Sequence, residues 1–483
     1  MCAVRPSPRQ LAWQQLDFYG FLHFGMNTMT DREWGTGHED PTRFDPDRLD
    51  ADQWMDSLAS AGMSGVILTA KHHDGFCLWP SRLTSHTVAS SPWRSGHGDL
   101  VAETAAAAER AGLRFGIYLS PWDRTEASYG SGRRYDDFYL GQLTELLTGY
   151  GEIFEVWLDG ACGEGPDGRT QRYDWDRYYA TVRALQPGAV IAVCGPDVRW
   201  CGNEAGHTRP DEWSVVPGGL RDAERVAARS QTADDADFAR RVRSDADDLG
   251  SRAALARLDA AGRHDELVWY PSEVDTSIRP GWFHHPDQDD QVLDADILFG
   301  LHRSATGGNA TLLLNVPPDR HGLIAAPDRT ALAGLGDRLA DQRRRTIRGL
   351  RRCSSGGFQP DPADGVPIWR PDPADPRPTV TIGLDGPRRG PCGPGGPGGS
   401  GGQRGQRVEA VVLRERIAEG QRIEHVVVNG IRGESRTVLG ECGTVGNRRI
   451  LAVPPTVVDA VEIAITASRT TPAISEAAVI LAP

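Results

Sequence analysis

Seven short apolar runs punctuate residues 1–345, and most are continuous rather than alternating. They are residues 18–24 (FYGFLHF), 65–69 (GVILT), 114–119 (RFGIYL), 153–158 (IFEVWL), 190–193 (VIAV), 267–270 (LVWY) and 311–315 (TLLLN). Continuous runs of this length suit parallel strands covered on both faces. Helix-patterned stretches lie between them at 51–61, 100–111, 136–148, 175–185 and 294–304, and two polar surface helices are expected within 219–265. Strand and helix alternating in this way predict an α/β fold, a (β/α)8 TIM-like barrel whose eighth strand is degenerate or hidden in the helical insertion. An open doubly wound sheet is the alternative. No G-x-G-x-x-G opens a helix after the first strand, which counts against it.

The barrel is expected to occupy residues 1–348 and a C-terminal all-β sandwich residues 349–483. The second unit is read from strand-like pieces at 379–382, 409–413, 425–428, 436–439, 450–453 and 460–465. Within it, residues 384–406 (DGPRRGPCGPGGPGGSGGQRGQR) cannot bury a core and read as a flexible loop. Buttressing the barrel is the expected role of this domain, ahead of sugar binding. A net charge of -13 argues against nucleic-acid or anionic-membrane partners. No apolar run reaches the ~20 residues of a membrane helix, and the N-terminus lacks a secretory pattern, so a soluble, cytoplasmic protein is expected. The eight cysteines include no C-x-x-C pair.

Polar and aromatic residues follow the strand candidates: His23, His72 and His73, Tyr118 and Trp122, Asp159, the segment 199–204, Glu273 and Asn315. In a barrel these endings converge on the C-terminal face, where active sites lie. KHHDG (71–75) could hold a metal, but adjacent strand residues point to opposite faces and no third ligand stands at a suitable spacing. Beyond the strand the backbone turns, and both imidazoles can face a pocket as hydrogen-bonding groups.

Asp159 ends IFEVWL, with Trp157 two residues back on the same inward face. A carboxylate beside an aromatic wall is what glycoside hydrolysis requires. A second carboxyl must act as acid, and Glu204 and Glu273 both qualify by position. A retaining enzyme holds the two about 5–5.5 Å apart and an inverting one about 6.5–9.5 Å, a gap that sequence distance does not fix.

Together HFGMNTMTDREWG, LTAKHHDGFCLWPS, VWLDGACGEG, RWCGNEAG and SEVDTSIRPGWFHH resemble the α-L-fucosidases of glycoside hydrolase family twenty-nine, especially the subgroup acting on α-1,3/1,4-linked fucose. The likeness runs from about residue 15 to 345 and continues into VLRERIAEGQRIEHVVV. It implies a retaining exo-α-L-fucosidase with a covalent fucosyl-enzyme intermediate, no metal or cofactor, and a fucosylated oligosaccharide as substrate. On this resemblance Asp159 is the nucleophile and Glu204 the acid/base. Pocket residues carried over are His23, Glu33, Trp34, His72, His73, Tyr118, Trp157 and Trp282, with Trp282 near the fucose methyl. Arg199 and Trp200 fall on the rim, and Glu273 remains the other acid candidate. Hydrogen bonds from neighbouring histidines are expected to keep Asp159 ionised. Residues 384–406 depart from the family's usual β-domain, and the missing secretory signal implies cleavage of imported oligosaccharides, or of small fucosides, inside the cell. Competing readings are a fucosidase of broader linkage specificity, another exo-glycosidase, a metal-dependent hydrolase built on His72, His73 and Asp74, and a non-catalytic fucose-binding protein.

Overall fold

Six of the seven apolar runs form strands of one parallel sheet. The computed structural model describes residues 1, 3–228, 230, 248–262, 266–384 and 405–483. The sheet consists of β1 (Phe18–Leu22), β2 (Gly65–Lys71), β3 (Arg114–Leu119), β4 (Glu155–Leu158), β5 (Val190–Val193), β6 (Arg199–Trp200), β7 (Ser272–Ser277) and β8 (Ala310–Asn315). Its hydrogen-bonded order is β5-β4-β3-β2-β1-β8-β7-β6, a nearly closed barrel with no ladder across the β5–β6 seam.

Helices α1 (Ala51–Ser60), α2 (Leu100–Ala111), α3 (Arg133–Gly149), α4 (Trp175–Leu185), α5 (Ala295–Thr306) and α6 (Ala326–Arg345) accompany the strands. Four begin on an aspartate: Asp50, Asp99, Asp174 and Asp294 accept the backbone N–H of Gln53, Ala102, Arg177 and Ile297. Each such cap stabilises its helix by about 1 kcal/mol and fixes where the preceding loop ends.

The seventh run is a correction. Leu267–Trp269 pairs antiparallel with Val215–Pro217 in a ribbon separate from the barrel sheet. Trp269 is buried there against Val215 and Ile417, with Leu11 alongside, and its Nε1–H donates to Gln14 Oε1 (2.8 Å). An apolar run reports that it is buried, not which sheet buries it. The barrel position goes instead to β7, SEVDTS, whose Glu273 and Asp275 are 0% and 2% exposed.

Within the helical insertion, helices form at Ala223–Ala227 and Arg252–Ala260. Residues 229, 231–247 and 263–265 of that expectation lie outside the described residues, as do 385–404 of the Gly/Pro stretch.

From Thr346 onward the chain forms two larger antiparallel sheets and a two-stranded ribbon, Gln359–Pro360 with Pro367–Ile368. Thr346–Ile347, Ile474–Leu481, Gln406–Glu415 and Arg449–Val458 make one; Leu350–Cys353, Thr379–Gly383, Ala460–Ser468, Ile423–Arg432 and Ser435–Cys442 make the other. Val411 and Val479 of the first share a core with Val428 and Ile463 of the second. The sandwich is pinned to the barrel by polar contacts: Asn447 Nδ2–H donates to Gln14 O (2.8 Å) and Asp17 Oδ1 (2.9 Å), and Gln421 Oε1 accepts the Ser214 N–H (2.8 Å). Among the described residues no helix is long and apolar enough to cross a membrane.

Candidate active site

The KHHDG segment turns off β2 so that its side chains part company. Lys71 faces away from the barrel mouth and is wholly buried, its Nζ donating to Asp123 Oδ2 (2.7 Å) and Gln142 Oε1 (2.8 Å). Asp74 Oδ1 accepts the Phe76 N–H (2.9 Å), closing the turn, and burial pushes this carboxyl up to about 7. His72 and His73, ring centroids 4.0 Å apart, both enter the wall of one cavity. Among the described residues no group of three or more His, Cys, Asp or Glu side chains is arranged to hold a metal.

Hydrogen bonding fixes which nitrogen of each imidazole carries the proton. His23 Nδ1 lies 2.9 Å from Asn315 Oδ1, and Asn315 Nδ2–H is committed to Ser277 Oγ and Trp282 O. The His23 proton therefore sits on Nδ1, leaving Nε2 an acceptor. His72 Nδ1 lies 3.2 Å from Asn27 Nδ2, a donor, so His72 carries its proton on Nε2. His73 Nδ1 lies 2.7 Å from Ser120 Oγ, whose own hydrogen goes to Trp122 O (2.7 Å), so His73 also presents an acceptor. Burial holds all three rings neutral, with His23 and His73 lowered to about 3 and His72 well below its ordinary value.

Asp159 follows β4. Its Oδ2 accepts the Tyr118 hydroxyl (2.8 Å) and its Oδ1 the Ala161 N–H (2.8 Å). Burial raises this carboxyl above the usual aspartate range, and the Ala161 N–H and Tyr118 hydroxyl oppose that rise. Tyr118 and the Ala161 amide, not histidines, thus support the charge; His73 Nε2 stands 3.9 Å away. Tyr118 is itself stacked on Trp157, 27° between planes and 5.4 Å between centroids. A Cβ at Gly160 would press on Ser230 Oγ (2.2 Å) and Cys194 Sγ (2.9 Å), so a side chain there requires its neighbours to shift.

Glu204, Trp200 and Trp282 line the same cavity. Trp282 Nε1–H donates to Glu204 Oε2 (3.2 Å), and Trp200 Nε1–H donates to Asp275 Oδ1 (2.8 Å). A lone antiparallel bridge joins Ala205 to Thr276, so Glu204 and Asp275 project on the same side. Burial, then the charges of Glu204 and Glu273, push Asp275 well above the ordinary aspartate value. Asp275 is a cavity residue that motif reading missed. The signal was the alternation Glu273-x-Asp275-x-Ser277, which sends three polar side chains to one face of β7. Phe21 and Val193 complete the apolar part of the wall, with Trp34 set edge-on against His73 at 5.3 Å.

Three expected pocket residues stand behind the wall instead. Glu273 is sealed under Trp157, whose Nε1–H donates to its Oε1 (2.8 Å), and takes the Tyr19 hydroxyl on its other oxygen. Burial raises Glu273 and drives Glu155, beside it, further up still. Arg199 points to the far side of Trp200 and pairs with Glu212 (2.7 Å). Glu33 is a strut, accepting the N–H groups of Trp282 (2.9 Å) and Phe283 (3.1 Å) and His285 Nε2–H (2.9 Å). Gly281 permits that approach, since a Cβ there would lie 2.2 Å from Glu33 Oε1. From the other end Arg279, paired with the buried Asp328, fixes the same loop.

His285 donates to Glu33 and Asp31, and the hydrogen bond it gives Glu33 first, then that to Asp31, raises it to about 9. A raised histidine contributes stability fully below its unfolded value of about 6.5 and loses it as pH climbs through the folded value. Trp282 is therefore expected to loosen above pH 9. Tryptophan fluorescence followed against pH in wild type and His285→Phe checks this; a transition of equal size in both rules the strut out.

A family model described as Alpha-L-fucosidase matches residues 12–342. Alpha-L-fucosidase 1 of Arabidopsis thaliana is 45% identical over 324 residues, 67% of this chain and 58% of the plant protein. The match therefore spans less than two thirds of that relative's length. A crystal structure of a candidate alpha-L-fucosidase from Bacteroides ovatus is 40% identical, with a TM-score of 0.81 over 99% of this chain and 74% of that one. A glycoside hydrolase family 29 fucosidase from Ruminococcus gnavus, solved in complex with fucose, is 26% identical with a TM-score of 0.77, covering 99% and 95% of the two chains. With the family model covering most of the barrel and its cavity, this chain belongs to the α-L-fucosidase family.

Proposed function

We propose that the protein is a retaining exo-α-L-fucosidase that releases terminal α-1,3/1,4-linked L-fucose from oligosaccharides, with Asp159 as nucleophile and Glu204 as acid/base. The observation that carries this reading is one cavity holding Asp159, fixed by Tyr118 and the Ala161 amide, together with Glu204 on a separate loop. Asp159 attacks the anomeric carbon while Glu204 protonates the departing oxygen, and Glu204 then takes a proton from the water that releases fucose. The neutral imidazoles of His23 and His73 accept from sugar hydroxyls, and His72 donates. Phe21 and Trp282, 6.3 Å apart, offer apolar surface for the methyl group. The fucose bound by the Ruminococcus gnavus relative supports the same sugar here.

Asp275 has a part in this scheme. Burial and the repulsion from Glu204 push Asp275 up, so the two carboxyls hold one proton between them, and that shared proton is the one the acid delivers. In Asp275→Asn that repulsion is gone, the acid loses its proton more readily, and the alkaline limb of the kcat/KM profile is expected to move to lower pH. An unmoved limb means that Asp275 does not act on the acid.

A panel of aryl glycosides with α-1,2-, α-1,3- and α-1,4-fucosylated oligosaccharides tests activity and linkage together. Aryl α-L-fucoside turnover with clear preference for the 1,3 and 1,4 linkages is expected. Equal rates on α-1,2-linked fucose give the broader specificity instead, and turnover of an aryl galactoside alone overturns the proposal.

A further inference from the structure

Beyond Trp200 the loop that carries Glu204 has a second face. A depression there is lined by Arg199, Cys201, Gly202, Arg209, Arg225 and Tyr270 together with the apolar Leu220, Val226 and Leu249, and Trp200 lines both it and the fucose cavity. Arg199 is only 5% exposed. Its Nη2 donates to Glu212 Oε2 (2.7 Å), whose other oxygen takes Arg209 Nη1–H (2.9 Å), so the two guanidinium groups share one carboxylate. Arg199 Nε and Nη1 are buried and have no acceptor. A guanidinium keeps its charge at any accessible pH, so these donors cannot be relieved by titration and call for an oxygen from outside the chain. Charged N–H donors prefer an oxyanion to a neutral hydroxyl.

The position of the depression says what could bring that oxyanion. An acid must touch the oxygen of the breaking bond, so the departing saccharide extends from the Glu204 side of the cavity. The Glu204 loop divides that side from the arginines. We infer that the depression behind Trp200 is a subsite for an anionic group, a carboxylate or a sulfate ester, on the saccharide that leaves. This rests on Glu204 being the acid. The enzyme would then favour fucosylated glycans whose neighbouring sugar is acidic, reading that sugar through Arg199.

The test compares kcat/KM for a neutral fucosylated trisaccharide with analogues bearing a carboxylated sugar or a sulfate ester next to the fucosylated unit. An aryl α-L-fucoside serves as the reference. Wild type is expected to favour at least one acidic analogue by about tenfold, the scale of one charge-assisted hydrogen bond. The analogue favoured distinguishes carboxylate from sulfate. The preference should fall toward unity in Arg199→Gln and in Arg209→Gln, and shrink in wild type as salt is raised. The salt series needs no variant, so a folding failure at Arg199 leaves the inference testable. Equal kcat/KM for neutral and acidic substrates in wild type overturns the subsite and leaves water as the partner of Arg199. No turnover of the aryl fucoside overturns the fucosidase reading beneath it.

Discussion

Asp159→Gly is expected to lower kcat on an aryl α-L-fucoside by roughly a thousandfold or more, since in the proposed mechanism its carboxylate forms the covalent intermediate. The substitution deletes the carboxylate but leaves the Tyr118 hydroxyl and the Ala161 N–H aimed at the vacated space. An added azide ion can sit there and attack from the same side. Partial rescue with azide is therefore expected, and the product should be the inverted β-fucosyl azide. Its configuration, read by proton NMR, checks which face Asp159 occupies; an α-azide would show that the nucleophile lies elsewhere.

The second large effect is at Glu204. Glu204→Ala is expected to cost about 10²–10⁴-fold on an oligosaccharide, whose leaving oxygen needs a proton, and far less on an activated aryl fucoside, which does not. Azide should again restore turnover, now from the face that water uses, giving the retained α-fucosyl azide. Glu273→Ala is the control. Its carboxyl lies behind Trp157, so its loss should disturb that indole without producing azide rescue. If Glu204→Ala hydrolyses the oligosaccharide like wild type while Glu273→Ala does not, the acid has been misassigned.

These expectations show where residue patterns carry structural information. β1–β5 and β8 were legible because strands buried on both faces need apolar residues in unbroken runs. β7 was not, because its inward side chains, Glu273 and Asp275, are polar and are satisfied inside the barrel by Trp157 and Trp200. The same limit explains Glu33 and Arg199. Both came in with the motifs that carry the family likeness, and a motif does not say whether its charged residue faces the cavity or supports it. Only the partners decide, and for Glu33 these lie some 250 positions away, at Trp282 and Phe283. That Asp159 and the paired histidines reach the cavity was readable because each is placed by the strand just before it, so local geometry was enough.

The tautomers of the three imidazoles bear on how such a cavity could come to accept another sugar. His23 cannot turn from acceptor to donor unless Asn315 rotates, and that would break its bonds to Ser277 and Trp282. His72 is tied in the same way to Asn27, and His73 to Ser120. The rings that would touch the sugar are thus the executors of a polarity decided one layer out. A lineage adapting this barrel to an epimer of fucose would find its productive substitutions at Asn27, Ser120 and Asn315, while the histidines themselves stayed in place.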